Sequence, residues 1–197
     1  MKVLIACESS GTVREAFRAL GHDAYSNDIL PADDNSPYHI EGDCVEAIKS
    51  QQWDMIGMHL PCTALAVSGN AHYGTGMAKN HLRVKSIECT MEVWKLATSL
   101  CDKVYLENPV GVLPMKASQY IQPWMFGHPE SKKTGLWLHG LKALEDTDNV
   151  KELHDSLPRK ERMRIHYLSP SEDRWKIRSK TFDGIANAMA QQWGREV

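Results

Sequence analysis

Short aliphatic runs alternate with helix-period stretches along this chain, and that alternation restricts the fold more than any other feature of the sequence. Lys2 to Ala6 is an aliphatic, β-branched run that stops at Glu8-Ser9-Ser10-Gly11, and Thr12 then opens a helical pattern with Val13, Phe17 and Leu20 on one face. Gly21-His22 closes that helix, Ala24-Tyr25-Ser26 reads as a second strand, and Asp28 stands at its carboxyl end. After a polar loop from Asp33 to Pro37, Asp43 is placed to cap a short helix through Val45, Ala47 and Ile48. Asp54 to Met58 is a buried strand that runs into Pro61-Cys62. The Gly-, Ser-, Ala- and Asn-rich stretch from Thr63 to Asn80 predicts a long loop. His81 to Leu100 carries Val84, Ile87, Met91, Trp94 and Leu96 at helical spacing. Lys103 to Leu106 is the next strand, with Glu107-Asn108-Pro109 where it ends. Leu136 to Leu138 reads as a strand, Leu141 to Lys180 as a polar stretch, and Asp183 to Trp193 as a closing helix.

This order predicts an α/β fold with a mostly parallel sheet and helices on both faces, in which ligands bind outside the carboxyl ends of the strands. The chemically informative residues gather there. Glu8 to Gly11, Asp28, Asp43, Pro61-Cys62 and Glu107-Asn108 all follow predicted strands.

With 197 residues, 42% hydrophobic and 24% charged, the chain suits one globular domain over 1–197, and a disordered or fibrous chain is excluded. No apolar run approaches the roughly 18 residues needed to span a bilayer, so no membrane partner and a cytoplasmic location are expected. Cys7, Cys44, Cys62, Cys89 and Cys101 contain no C-x-x-C pair and fit reduced thiols. Charge is distributed unevenly: residues 1–58 hold four basic side chains against ten acidic ones, whereas residues 156–182 hold eight basic against three acidic. The basic tract, with Tyr167 and Trp175 interleaved, suits either a polyanion or a solvated rim loop.

A Gly- and Ser-bearing turn between strand and helix lets backbone N–H groups approach a ligand, and an acid after the second strand accepts bonds from ribose hydroxyls. That pairing suggests a nucleoside-containing cofactor. Glu8 would repel a pyrophosphate, so a cofactor without phosphates fits better, and S-adenosylmethionine is such a molecule. Cys62, after a proline at a strand end, suits a nucleophile or a small buried hydrophobe. His59 lies three residues before it, but no second ligand pair stands at zinc spacing, and no metal is expected.

Pro61-Cys62 with Ser68-Gly69 six residues on, and the strand-end Glu107-Asn108, resemble the signature segments of DNA cytosine-5 methyltransferases. The resemblance continues in family order. Ala6-Cys7-Glu8-Ser9-Ser10-Gly11 lies at the cofactor turn, Asp28-Ile29 at the ribose-binding acid, and Gly42-Asp43-Cys44 at the adenine-contacting Gly-Asp. Phe126 to Lys133 is similar to the family's Gly-x-Pro-Gln-x-Arg-x-Arg segment, Arg164 to Glu172 to its Arg-x-Leu-Thr-x-x-Glu segment, and Gly184 to Ala188 to its closing helix. The compact form resembles the short methylases of bacteriophages.

The resemblance implies a Rossmann-like S-adenosylmethionine-dependent methyltransferase fold and methyl transfer to C5 of a flipped cytosine in DNA. Cys62 would attack C6, Glu107 would meet N3, and Asn108 would orient Glu107. The cofactor set would be Cys7, Glu8, Ser9, Ser10, Gly11, Asp28, Ile29, Asp43, Cys44 and Asn187. The substrate set would be Pro61, Ser68, Gly69, His72, Lys132, Lys133, Arg174 and Lys176, with the 63–80 loop closing over the base. Leu60, Glu8 and Pro109 depart from the family pattern, and Thr134 stands where its second arginine would be, leaving Lys132 or Lys133 for cytosine O2. Residues 139–180 make at most a reduced target-recognition segment, so sequence specificity is very short or absent. Free cytosine nucleotide or RNA as acceptor, and a catalytically silent binding module of the same fold, are the alternatives. Oligomeric state is not legible.

Overall fold

The computed structural model describes residues 1–195, so the last two residues of the expected 1–197 span lie outside the described residues. Its centre is a seven-stranded sheet of order β3-β2-β1-β4-β5-β7-β6. The strands are β1 (Lys2–Ala6), β2 (Asp23–Asp28), β3 (His39–Glu41), β4 (Met55–Met58), β5 (Val104–Pro109), β6 (Gln119–Ile121) and β7 (Thr134–His139). The first five run parallel, while β7 is antiparallel to both β5 and β6. The expected mostly parallel α/β sheet is present. Two strands absent from the sequence reading, β3 and β6, have three residues each, too short for alternation to register.

Because side chains alternate across each strand, the sheet has two cores. On one face Val3, Ile5, Met55 and Tyr105 pack with Val13 and Phe17 of α1 (Thr12–Ala19) and Ile185, Met189 and Trp193 of α8 (Asp183–Trp193). On the other, Leu4, Ala6, Ile56, Met58, Val104 and Leu106 pack with Ala47 and Ile48 of α2 (Cys44–Lys49) and Val93 and Ala97 of α4 (Asn80–Leu100). Five parallel strands covered on both faces put their carboxyl ends along one edge of the sheet.

Several expected details are corrected. Leu20 caps α1 and is exposed rather than core. The buried stripe of α4 is Arg83, Thr90, Val93 and Ala97, while Val84 is 47% exposed. The expected loop between Thr63 and Asn80 contains a 3-10 turn at Val67–Gly69 and the short α3 (Asn70–Tyr73). Its start is pinned, since Val67 N donates to Val110 O and Val112 N to Leu65 O. The polar stretch after β7 folds into α5 (Lys151–Ser156), α6 (Arg159–Arg162) and α7 (Arg174–Ser179). No helix among the described residues is long and apolar enough to cross a membrane.

Candidate active site

β1 delivers the first turn of the site. Cys7 has φ 59° and Gly11 φ 66°, so the chain reverses sharply between strand and helix. Only glycine fits at position 11, because a Cβ there would run into the Arg14 guanidinium. Glu8 folds back under this turn. It is 4% exposed, and its carboxylate accepts from Val13 N at 2.7 Å and Arg14 N at 3.3 Å, with Ser10 Oγ at 3.4 Å. Glu8 therefore does not present its carboxylate to a ligand as expected; it caps α1, where an anion meets the helix dipole and otherwise orphaned N–H groups. With that terminus filled by a carboxylate, phosphate is disfavoured there.

Three acids or thiols from neighbouring strand ends converge on Cys7. Asp28, the last residue of β2, accepts from Leu30 N through Oδ1 at 3.0 Å. Asp43 caps α2, accepting from Val45 N at 2.8 Å. The neighbouring Cys44 thiol, then burial, pushes Cys7 strongly up, with Asp28 and Asp43 adding negative potential. Ile29 beside Asp28 is 74% exposed, an apolar side chain left open next to polar groups. An acidic rim with an apolar wall suits a cationic or neutral nucleoside better than a phosphorylated one. Round the N-terminus of α1, Ser10, Gly11 and Thr12 share a cleft of about 380 Å³ with Lys180, Asp183 and Asn187. Ser9 is tied into the fold by its carbonyl, which accepts from Asp33 N.

Cys62 lies on the loop that leaves β4, and Glu107 lies in the adjacent β5 just past its pairing with β4. Cys62 follows β4 and is half-buried, with a turn closed by Leu65 N and Ala66 N on its carbonyl. Burial pushes its thiol up, as does Glu107, whereas Lys132 and Arg178 pull it down. Burial lowers the ammonium of Lys132, while Glu107 and Cys62 raise it. Cys62, Glu107, Lys132 and Arg178 are thus one electrostatic cluster. Lys132 is anchored from outside the sheet, donating to Lys180 O at 3.1 Å and Ser179 O at 3.4 Å.

Asn108 does not orient Glu107. Successive residues of β5 point to opposite faces, so Glu107 lies on the Tyr105 side and Asn108 on the Leu106 side. The Asn108 amide is 1% exposed with neither polar atom hydrogen-bonded. The remaining expected substrate residues divide. Pro61, just before Cys62, is exposed, and on the loop after Cys62 Ser68 and His72 are exposed and Gly69 half-buried. Lys133 stands 4.7 Å over the Tyr120 ring rather than at the cluster. Lys176 pairs with Asp33 at 3.3 Å, and Arg174 Nε is buried without a partner.

Sequence reasoning missed Arg83 and Arg178. Arg83 is 7% exposed and ties the loop after Cys62 to α4, donating to Ala64 O at 2.7 Å, Ala66 O at 3.3 Å and Asn70 Oδ1 at 2.9 Å. An arginine inside an otherwise half-apolar helix stripe was its only signal. Among the described residues, no group of three or more His, Cys, Asp or Glu is arranged to hold a metal.

The solved structure of the Entamoeba histolytica methyltransferase EhMeth superposes with a TM-score of 0.52 at 11% identity, over 87% of this chain and 60% of that one. This chain shares the α/β fold of that methyltransferase. The S. pombe Dnmt2 methyltransferase superposes with a TM-score of 0.47 at 16% identity, over 88% of this chain and 61% of that one. The chain spans about 60% of the length of the EhMeth structure that it matches. No protein-family model and no curated protein matches the sequence.

Proposed function

We propose that this chain is an S-adenosylmethionine-dependent methyltransferase of the DNA cytosine-5 type, acting in the cytoplasm with little or very short sequence specificity. The observation that carries the reading is the meeting of Cys62, Glu107 and Lys132 at the ends of β4 and β5, beside the acid-rimmed turn after β1. Asp28 keeps Oδ2 for ribose hydroxyls, Ile29 offers a wall for adenine, and Asp43 with Cys44 borders its edge. Ser10, Gly11 and Asn187 take the amino-acid end. Bound there, S-adenosylmethionine supplies a sulfonium methyl group.

The residues of the chain do the rest. C5 of cytosine is a poor nucleophile, and a bond from Cys62 Sγ to C6 moves electron density to C5 and towards N3. Glu107, sharing a proton at N3, offsets that charge, and Lys132 faces the O2 side with Arg178 nearby. After C5 has taken the methyl group, its proton leaves to a base and the Sγ–C6 bond breaks. In a duplex the base must first be extruded, and Pro61, Ser68, Gly69 and His72 border the space it enters. Arg174 and Lys176 are assigned to phosphates. A second acceptor, RNA or a free cytosine nucleotide, is favoured by the modest segment after β7, where Arg162, Arg164 and Lys176 already pair with Asp155, Glu130 and Asp33.

The test is methyl transfer from labelled S-adenosylmethionine to duplex DNA, RNA and cytosine nucleotides, followed by digestion and separation of nucleosides. Label in 5-methyl-deoxycytidine, absent with Cys62→Ala, is the expected result. Label in another base, or turnover retained by Cys62→Ala, overturns the reading.

A further inference from the structure

His59 has no task in the methyl-transfer chemistry, yet it is packed into the wall behind Glu107. Its side chain is 9% exposed, with Nδ1 3.9 Å from Glu107 Oε2. Its Nε2 lies 2.9 Å from Tyr105 Oη. Tyr105 is fully buried, and its ring fits only because Gly57 on β4 has no Cβ, which would otherwise come within 2.4 Å of the phenol. Burial, then the carboxylates of Glu8 and Glu107, push Tyr105 well up, so it keeps its O–H.

A buried O–H needs an acceptor. Among the described residues the hydrogen-bond partner of Tyr105 Oη is His59 Nε2. If Nε2 carried the proton, the tyrosine O–H would be left with nothing to donate to. Tyr105 O–H therefore donates to Nε2, and the imidazole proton sits on Nδ1, the nitrogen that faces Glu107.

We infer that His59 is a positioning residue for Glu107, held by Tyr105 in the Nδ1–H tautomer so that its N–H faces Oε2 and leaves Oε1 towards the substrate base. The inference rests on the reading of Glu107 as the group that meets cytosine N3. An N–H turned towards a carboxylate favours its charged form. The other ionisable groups around this carboxylate are Cys62 on the same loop, Lys132 from the segment before β7, Arg178 from α7, and Glu8 beyond Tyr105. Lys132 also faces this carboxyl, so the effect is read with Lys132 intact.

The experiment is carbon-13 NMR titration of the Glu107 carboxyl in the full chain, assigned with Glu107→Gln, beside nitrogen-15 shifts of His59. In the wild type, neutral His59 is expected as the Nδ1–H tautomer. His59→Leu is expected to raise the Glu107 midpoint by about half a pH unit or more. His59→Asn, whose amide N–H falls near the Nδ1 position, restores it. Tyr105→Phe, which frees the tautomer, moves the midpoint the same way by less, and carries the test should His59→Leu not fold. In turnover, the alkaline limb of kcat moves up with the midpoint while KM stays within about twofold. An unmoved Glu107 midpoint, or an Nε2–H tautomer, overturns the proposal. A midpoint that moves in a chain that transfers no methyl group upholds the positioning role and overturns the assigned reaction instead.

Discussion

The carboxyl edge of the parallel strands and the segment after β7 are built on different principles. At the edge, charged groups are buried and multiply bonded: Arg14 is fully buried and reaches Glu15, Ser26 and Asp34 at once, and Arg83 holds two carbonyls and an amide. After β7, short helices lie on the surface and their charges meet in exposed pairs such as Lys151–Asp155 at 2.5 Å and Lys176–Asp33 at 3.3 Å. Buried charge demands its partners, because a lone one keeps its desolvation cost, whereas an exposed pair is worth little. The first region is therefore intolerant of substitution, while the second is freer to vary.

The largest expected effect breaks the buried side of this contrast. Arg83→Leu leaves the Ala64 carbonyl buried without its donor and strips Asn70 Oδ1 of its partner, while Ala66 O keeps Gly69 N, and is expected to cost about 2–4 kcal/mol in urea unfolding. Lys151→Ala, which removes an exposed pair, is expected to cost under about 0.5 kcal/mol. Equal costs for the two would erase the distinction.

A smaller effect sharpens the electrostatics at the edge. Burial and Glu107 hold the Cys62 thiol up, so at neutral pH it is protonated and iodoacetamide labels it slowly, with the rate rising about tenfold per pH unit as the thiolate forms. Lys132 opposes that shift. Lys132→Met is therefore expected to slow labelling of Cys62 by about tenfold at fixed pH, with exposed Cys89 as the internal reference. Mass spectrometry of the two peptides reads this directly, and an unchanged ratio would remove Lys132 from the cluster.

The smallest effect belongs to the surface segment. Arg174→Ala with Lys176→Ala is expected to leave stability within about 0.5 kcal/mol, weaken DNA binding several-fold at low salt, and flatten the salt slope by about one to two. An unchanged slope means that α7 does not meet phosphates.

The same contrast governs how much was legible in the sequence. Strand ends announce themselves, because an aliphatic run that stops at a polar residue marks both an element and an edge; Asp28, Asp43, Cys62 and Glu107 were found that way. Which face a side chain takes was also encoded, since adjacent residues of a strand must diverge, yet Glu107 and Asn108 were read as a cooperating pair. In α4 the apolar residues Val84 and Ile87 suggest one face, whereas the buried stripe runs through Arg83 and Thr90, whose polar side chains give no apolar period. Glu8 was read as a hindrance to phosphate, but its use as the cap of α1 depends on a backbone reversal that spacing does not reveal. Arg178 left no signal, because the tract that contains it has no period and its approach to Cys62 comes from α7 crossing back to meet Lys132.

Trapping on cytosine is the most direct measurement of whether this edge does covalent chemistry. The protein would be incubated with S-adenosylmethionine and duplexes bearing 5-fluorocytosine in many contexts, since fluorine at C5 blocks the final elimination. A denaturation-resistant adduct that carries the methyl group, maps to Cys62 by peptide mass and vanishes with Cys62→Ala is the expected result. An adduct at another residue, or none while S-adenosylmethionine binds, would contradict Cys62 as the nucleophile and cytosine C5 as its target.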